Sequence, residues 1–307
     1  MKLKNPIVIV CFAISSCSAP RTILESGKVT PHKQIKAGID FSANFATQPI
    51  KALKGSSSEI IESLANKDSI VFDDALNKLN IVALAYSLDP LGSGFNMYAR
   101  YGLFKKMDIG YKFASGTHVF DSRYQFMGPT STGEDTASGK KYGSIGLQFS
   151  SQSYDLPLGL DKLQGILGLE FKRKDFLVPL IFSYSFGKEE NYGAISYGLV
   201  YSHSFVSYSF DPQKIYEAAG PSGISVNKTL IKPINEKKNF PAFGTFTNIR
   251  FGYKYVYGLL SFSMYYQNYG TFNLLGGNTV KFNGFSFVPS AGLYFIIPPK
   301  KIFKKQK

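Results

Sequence analysis

The chain has no tryptophan, two cysteines and three histidines. Beyond its first 16 residues no apolar run approaches the ~20 residues that a membrane-crossing helix needs. Each shortage excludes something. Cys11 lies inside the apolar N-terminal stretch and Cys17 just after it, so no CxxC pair, disulfide framework or thiolate metal site is expected. His32, His118 and His203 are scattered, none at the spacing of a metal-ligand pair, so neither a metal nor a cofactor is expected. A bundle of membrane helices is excluded. The only adjacent serine–histidine pair is His203-Ser204, and neighbours on a strand point to opposite faces, so they cannot serve as nucleophile and base. His118 with Ser115 or Ser122 has no supporting spacing, and no catalytic residue is assigned.

What the chain has in quantity is tyrosine (20), phenylalanine (27) and glycine (29), arranged with a period of two. From Asn248 to Gln267, Ile249, Phe251, Tyr253 and Tyr255 alternate with Asn248, Arg250, Gly252 and Lys254. After a turn expected at Tyr257-Gly258, Leu260, Phe262, Met264 and Tyr266 alternate with Ser261, Ser263, Tyr265 and Gln267. Side chains alternate across a strand, so one face is oily and the other polar. The pattern recurs at 35–45, 96–103, 107–113, 120–126, 144–150, 163–172, 178–187, 194–205 and 285–295. A soluble sandwich would put aliphatic residues inside and polar ones outside. Here tyrosine is abundant and charges sit mid-strand opposite the aromatics, which favours a closed barrel with a lipid-facing exterior. The fold expected is all-β: a transmembrane antiparallel up-and-down β-barrel of about 12 strands.

Both termini are expected on one side, which makes the strand number even. Eleven strands are clear, and residues 79–88 supply the twelfth. Phe72, Ala75, Leu76, Leu79, Val82, Ala83 and Tyr86 also sit at helical spacing, and Ser56 to Glu59 offers a capping box. A helical insertion is therefore expected near 57–78, and ten strands result if it continues through Tyr86. The stretch 210–244 carries Pro212, Pro221, Pro233 and Pro241 and reads as a long loop. With twelve strands, the connections 48–78, 128–140, 210–244 and 269–281 fall at one end. Turns near 89–90, 115–116, 188–189 and 257–258 fall mostly at the other, with 152–161 the longest exception.

Residues 1–16 have the form of a signal peptide, with Lys2 and Lys4 before a short apolar core. Ile14-Ser15-Ser16-Cys17 resembles a bacterial lipobox, which implies acylation of Cys17 and a lipidated leader over 17–33. The start of that leader resembles the small–Arg–Thr–Leu opening of uncharacterised Gram-negative outer-membrane β-barrel proteins with a lipoprotein-type signal. Tyr98 to Leu103, Met107 to Gly110 and Asp121 to Phe126 resemble their recurrent hairpin series. Ser290, Gly292, Phe295 and Ile297 resemble the C-terminal signal read by the barrel assembly machinery, although a basic tail, 298–307, follows. The resemblance implies a bacterial outer-membrane location over 34–297, with both termini periplasmic. It implies outer-membrane lipids and the assembly machinery as partners, but no substrate.

The net charge of +14 could suggest nucleic acid, but a barrel of this kind has no access to it. The polar faces carry Lys36, Arg100, Lys112, Arg123, Lys172, Arg250 and Lys254 against Asp40, Asp108, Asp121 and Glu170. This set is expected to line the lumen. An open lumen so lined is a narrow pore for small solutes with mild anion preference. If the charges pair, the barrel is closed and structural or adhesive. A lipid-modifying enzyme is the weakest of the three readings.

Overall fold

A computed structural model describes residues 20–52, 69–130, 140–154, 170–211, 233–274 and 277–297. Ten antiparallel strands close into one barrel in sequence order, with β1 pairing both β2 and β10. They are β1 (Ile35–Ala46), β2 (Gly92–Phe104), β3 (Met107–Ala114), β4 (Thr117–Met127) and β5 (Lys141–Tyr154), then β6 (Glu170–Ser185), β7 (Gly193–Phe210), β8 (Ile234–Tyr253), β9 (Val256–Asn273) and β10 (Thr279–Ile297). A short helix α1 (47–52) and a 20-residue helix α2 (Ser69–Leu88) lie between β1 and β2. Ile35 pairs with Ile297, so the two ends of the barrel wall meet at one rim. That rim, the turn end, also holds 105–106, 128–130, 140, 186–192 and 254–255. The opposite loop end holds the described residues 47–52, 69–91, 115–116, 211, 233, 274 and 277–278.

The outward face is apolar and uncovered. Phe41, Phe120, Tyr124, Tyr197, Leu199, Phe243, Leu260, Phe262, Leu293 and Phe295 are all exposed. On β7 the apolar outward positions run from Ile195 to Phe205. Ten residue steps at ~3.3 Å, on strands tilted by ~40°, make a band about 25 Å tall, the height of a transmembrane barrel's lipid belt. Closure leaves no edge and pairs the backbone within the wall. The chain is a membrane-spanning β-barrel.

Above the belt, at the loop end, the pattern inverts. On β7 the outward residues become Ser207 and Ser209 and the inward ones Val206, Tyr208 and Phe210. On β9 and β10, Thr271, Asn273, Lys281 and Asn283 face out, while Phe272 and Phe282 are buried inside. The wall β6–β10 rises past the membrane into water, so its exterior is polar. Its interior encloses an apolar core in which Ala83, Leu84, Ala85 and Leu88 of α2 pack against Phe171, Val206, Tyr208, Phe210, Phe240, Tyr269, Phe272 and Phe282.

This inversion corrects the strand count. Residues 163–172 and 178–187 read as two strands because Phe171 and Val178 belong to opposite parities. In fact β6 is a single strand from Glu170 to Ser185, with Phe171 inside the core and Val178, Leu180 and Phe182 on the belt. Residues 79–88 are helix rather than strand, since Ala83, Leu84 and Leu88 find their burial against the tall wall. The described helix, 69–88, covers the expected insertion over 69–78 and continues through Leu88; residues 57–68 lie outside the described residues. Twelve strands become ten, and β2 to β5 run opposite to the twelve-strand expectation, so 89–90 and 115–116 fall at the loop end and 128–130 and 140 at the turn end. Residues 234–244 are not loop but the start of β8. Pro241, opposite His203, faces outward within it. Likewise β9 runs to Asn273 and β10 begins at Thr279, inside the expected loop 269–281. The turn expected at 257–258 sits at Lys254-Tyr255, leaving Tyr257 inward and stacked on Tyr294 at 4.8 Å.

Belt and wall give different costs for one substitution on one strand. Phe262→Arg, in the belt, is expected to destabilise the barrel by about 2–4 kcal/mol. Thr271→Arg, outward but above the belt, should stay within about 0.5 kcal/mol. Reversible unfolding in lipid or detergent measures both; equal effects would remove the belt assignment.

Candidate functional site

The lumen is filled by the chain's own N-terminal segment. Arg21 to Leu24 and Ser26 to Thr30 are buried although they belong to no strand. At the turn end His32 bridges to Gly102, where a side chain would collide with the Pro31 carbonyl. From there the segment runs inward, and Arg21 reaches Asp89 beneath the C-terminus of α2 at 2.9 Å.

A buried backbone outside a sheet must find partners for its N–H and C=O groups. The polar inward faces provide them. Tyr265 donates to the Arg21 carbonyl (2.6 Å), Lys112 to that of Thr22 (3.0 Å), Ser261 to that of Ile23 (2.9 Å) and Asn248 to that of Glu25 (3.0 Å). Arg123 donates to the Ser26 carbonyl at 2.7 Å and Gln148 to the Pro20 carbonyl at 3.0 Å. In return the Gly27 amide donates to Ser183 (3.1 Å), that of Val29 to Gln125 (3.1 Å) and that of Thr30 to Asp108 (2.7 Å). Gly27 permits the closest approach, since a Cβ there would stand 2.5 Å from the Tyr142 carbonyl oxygen. Ile23 packs against Leu177, Ile181, Val200, Phe246 and Tyr265.

The charges expected to line an open path are mostly here, and mostly paired. Arg100 binds Asp108 at 2.7 Å and also binds Asp121; Arg123 grips both oxygens of Asp108 at 3.1 and 2.6 Å. Glu25 of the leader completes the cluster, 3.3 Å from Arg100 and 3.5 Å from Arg123. Asp40 accepts from Asn96 at 2.7 Å, and Arg250 pairs with Glu190 at 3.0 Å. Lys36 faces inward and is buried. Three of the expected residues are elsewhere. Glu170 and Lys172 point outward, 69% and 68% exposed for Lys172 and Glu170, because β6 is above the belt there and its parity is the reverse of that expected. Lys254 occupies the turn after β8 with φ 56°.

Several partners escaped the sequence reading. Arg21 and Glu25 were in a segment with no periodicity, and Asp89 followed a stretch read as strand. Arg173, which the sequence reading did not single out, is buried; it binds Asp175 at 2.8 Å, Ser204 at 2.8 Å and the Leu88 carbonyl at 2.6 Å, fixing α2 to the wall. Asp89 is the hub. It accepts from Arg21 (2.9 Å), Asn44 (2.8 Å), Gln267 (2.9 Å), Tyr269 (2.7 Å) and Ser286. Burial opposes ionisation of this carboxyl, but Arg21 and the hydrogen bonds from Ser286, Tyr269 and Asn44 outweigh it and hold its pKa below the usual range.

His203 lies on the outward face, with Tyr201 Oη 3.0 Å from its Nδ1, while Ser204 faces inward toward Asp175. His118 is also outward, 2.7 Å from Tyr111 Oη. No group of three or more potential metal ligands occurs among the described residues. Cys17 and residues 1–16 and 298–307 lie outside the described residues.

No family model and no curated protein matches the chain. Among solved structures it is similar to the outer-membrane protease OmpT of Escherichia coli, with a TM-score of 0.41 and 9% identity over 91% of this chain and all of that one. It is similar to the attachment invasion locus protein Ail of Yersinia pestis, with a TM-score of 0.32 and 9% identity over 87% of this chain and 99% of that one. For the outer-membrane protein OprG of Pseudomonas aeruginosa the values are 0.32, 9%, 89% and 99%. At such scores the comparison adds nothing to what the strand order and the exposed belt already establish, a membrane-spanning barrel of ten strands.

Proposed function

We propose that the protein is a bacterial outer-membrane barrel held closed by its own N-terminal segment, with a structural or adhesive role at the cell surface. The observation that carries this reading is the burial of Arg21 to Thr30 in the lumen, bonded by side chains from most of the wall. The turn end and both chain termini then face the periplasm. The loop end, with α2 and the tall wall β6–β10, faces outward and is the part available for display. Outer-membrane lipids surround the belt, and the strand signal at Ser290, Gly292, Phe295 and Ile297 is the segment offered to the assembly machinery. We assign no catalytic role. The anion-preferring pore requires this segment to leave and to expose Arg100 and Arg123 unpaired from Glu25, at the cost of nearly all the hydrogen bonds described above.

Planar-bilayer recording separates the two. The full chain is expected to insert without producing ion-conducting steps. A double variant Arg21→Ala, Glu25→Ala, which cuts two of the leader's ionic anchors, is expected to give intermittent steps. Stable anion-selective conductance from the unaltered chain, lost in Arg250→Glu, would establish the pore instead.

A further inference from the structure

At the turn end, where the leader enters the barrel, a cavity of 170 Å³ is lined by Lys28, His32, Lys36, Glu189, Glu190 and Tyr294, among others. Its glutamates are largely committed. Glu190 pairs with Arg250 at 3.0 Å and accepts from Ser26 at 3.1 Å; Glu189 stands 3.6 Å from Lys28. Lys36 is different. It is only 6% exposed, yet among the described residues it forms no hydrogen bond or ion pair. A buried amine left without a hydrogen-bond partner is costly, and an anion entering the cavity offsets that cost. A complementary group lines the same cavity: Glu189 Oε1 is buried and has no donor among the described residues.

We propose that this cavity binds a small phosphate-bearing anion. One group then satisfies both orphans: an anionic oxygen accepts from Lys36 Nζ, and a P–OH or neighbouring hydroxyl donates to Glu189 Oε1. The volume is below the ~300 Å³ of sites for drug-sized ligands, which suits a phosphate or a short phosphate monoester. Lys254, on the rim with its ammonium 4.9 Å from the Tyr253 ring centroid, adds positive field and pairs with no carboxylate among the described residues. Because Lys28 and His32 come from the leader, the cavity exists only with the leader seated, so the anion stabilises the filled barrel.

The test is calorimetric titration of the full chain in neutral detergent with inorganic phosphate, glycerol 1-phosphate and sulfate. Saturable one-site binding of phosphate and its ester is expected, at least ten-fold tighter than sulfate, which has no hydroxyl at neutral pH. Lys36→Met should weaken phosphate ten-fold or more, and Lys237→Gln, on the outer face of β8, should not change it. Glu189→Gln should narrow the gap between phosphate and sulfate, and this arm stands even if Lys36→Met does not fold. Repeating the titration in phosphatidylcholine nanodiscs with and without phosphatidylglycerol identifies the source. Competition by the anionic lipid assigns the phosphate to a headgroup, and its absence assigns it to a free solute. The proposal is overturned if the unaltered chain shows no saturable phosphate binding, if sulfate binds equally well, or if a folded Lys36→Met binds with unchanged affinity.

Discussion

Replacing Asp108 with alanine is expected to cost the barrel about 3–5 kcal/mol, the range for removing one partner of a buried ion pair. Asp108 is fully buried between Arg100 and Arg123 and also accepts the Thr30 amide at 2.7 Å. Without it two guanidinium groups face each other with Glu25 and Asp121 as the remaining counterions, and the leader loses a backbone partner. The cost comes from what is left unpaired, not from the attraction lost. An Asp108→Asn variant, which keeps the shape and an acceptor, should therefore recover only part of the loss. Chemical unfolding in lipid, compared with Phe262→Arg in the belt, gives the magnitude. A loss below about 1 kcal/mol would mean that water reaches these arginines, the behaviour of an exposed pair and of an open lumen.

Asp89→Ala is expected to be comparably severe and to act at the other end. It strands Arg21 in a buried site and removes the acceptor shared by Asn44, Gln267, Tyr269 and Ser286. It should loosen the leader and α2 together while leaving β2–β4 intact, because Asp89 follows α2 directly and is bonded to the leader. The pH dependence has a definite sign. The folded carboxyl has a depressed pKa, so its stabilisation is fully present above the unfolded value of ~3.9 and is lost as pH falls through the lower folded value. Acid should thus release the leader in the unaltered chain and add little to the Asp89→Ala variant. Proteolysis at the loop end, followed across pH 2 to 7, reads both effects. Release in the neutral range would contradict the sign.

The belt was legible because its period of two is unbroken. The outward residues from Ile195 to Phe205, His203 apart, and from Leu260 to Tyr266 report the same lipid boundary. The inner charges were legible for the same reason, and Lys36, Asp40, Arg100, Asp108, Lys112, Asp121, Arg123 and Arg250 do face the lumen. Periodicity failed where the environment changed along one strand. Phe171 is apolar and inward and Phe176 apolar and outward, five residues apart on β6, because the membrane ends between them. Helical spacing in 79–88 was visible but lost to a parity argument that ten strands satisfy equally well. The leader could not be read at all. Its segment has no alternation, and the meaning of Arg21 and Glu25 lies in partners 68 to 265 residues away.

The central claim is that residues 21–30 are part of the barrel's interior. Amide hydrogen exchange of that segment in the folded protein, read by mass spectrometry in nanodiscs, tests it directly. The filled lumen predicts protection approaching that of the strands for the amides of Gly27, Val29 and Thr30, which donate to Ser183, Gln125 and Asp108. It also predicts that this protection is lost in Asp89→Ala and Asp108→Ala. Exchange of the whole segment at the rate of an unstructured peptide, in a barrel whose strands stay protected, would contradict it.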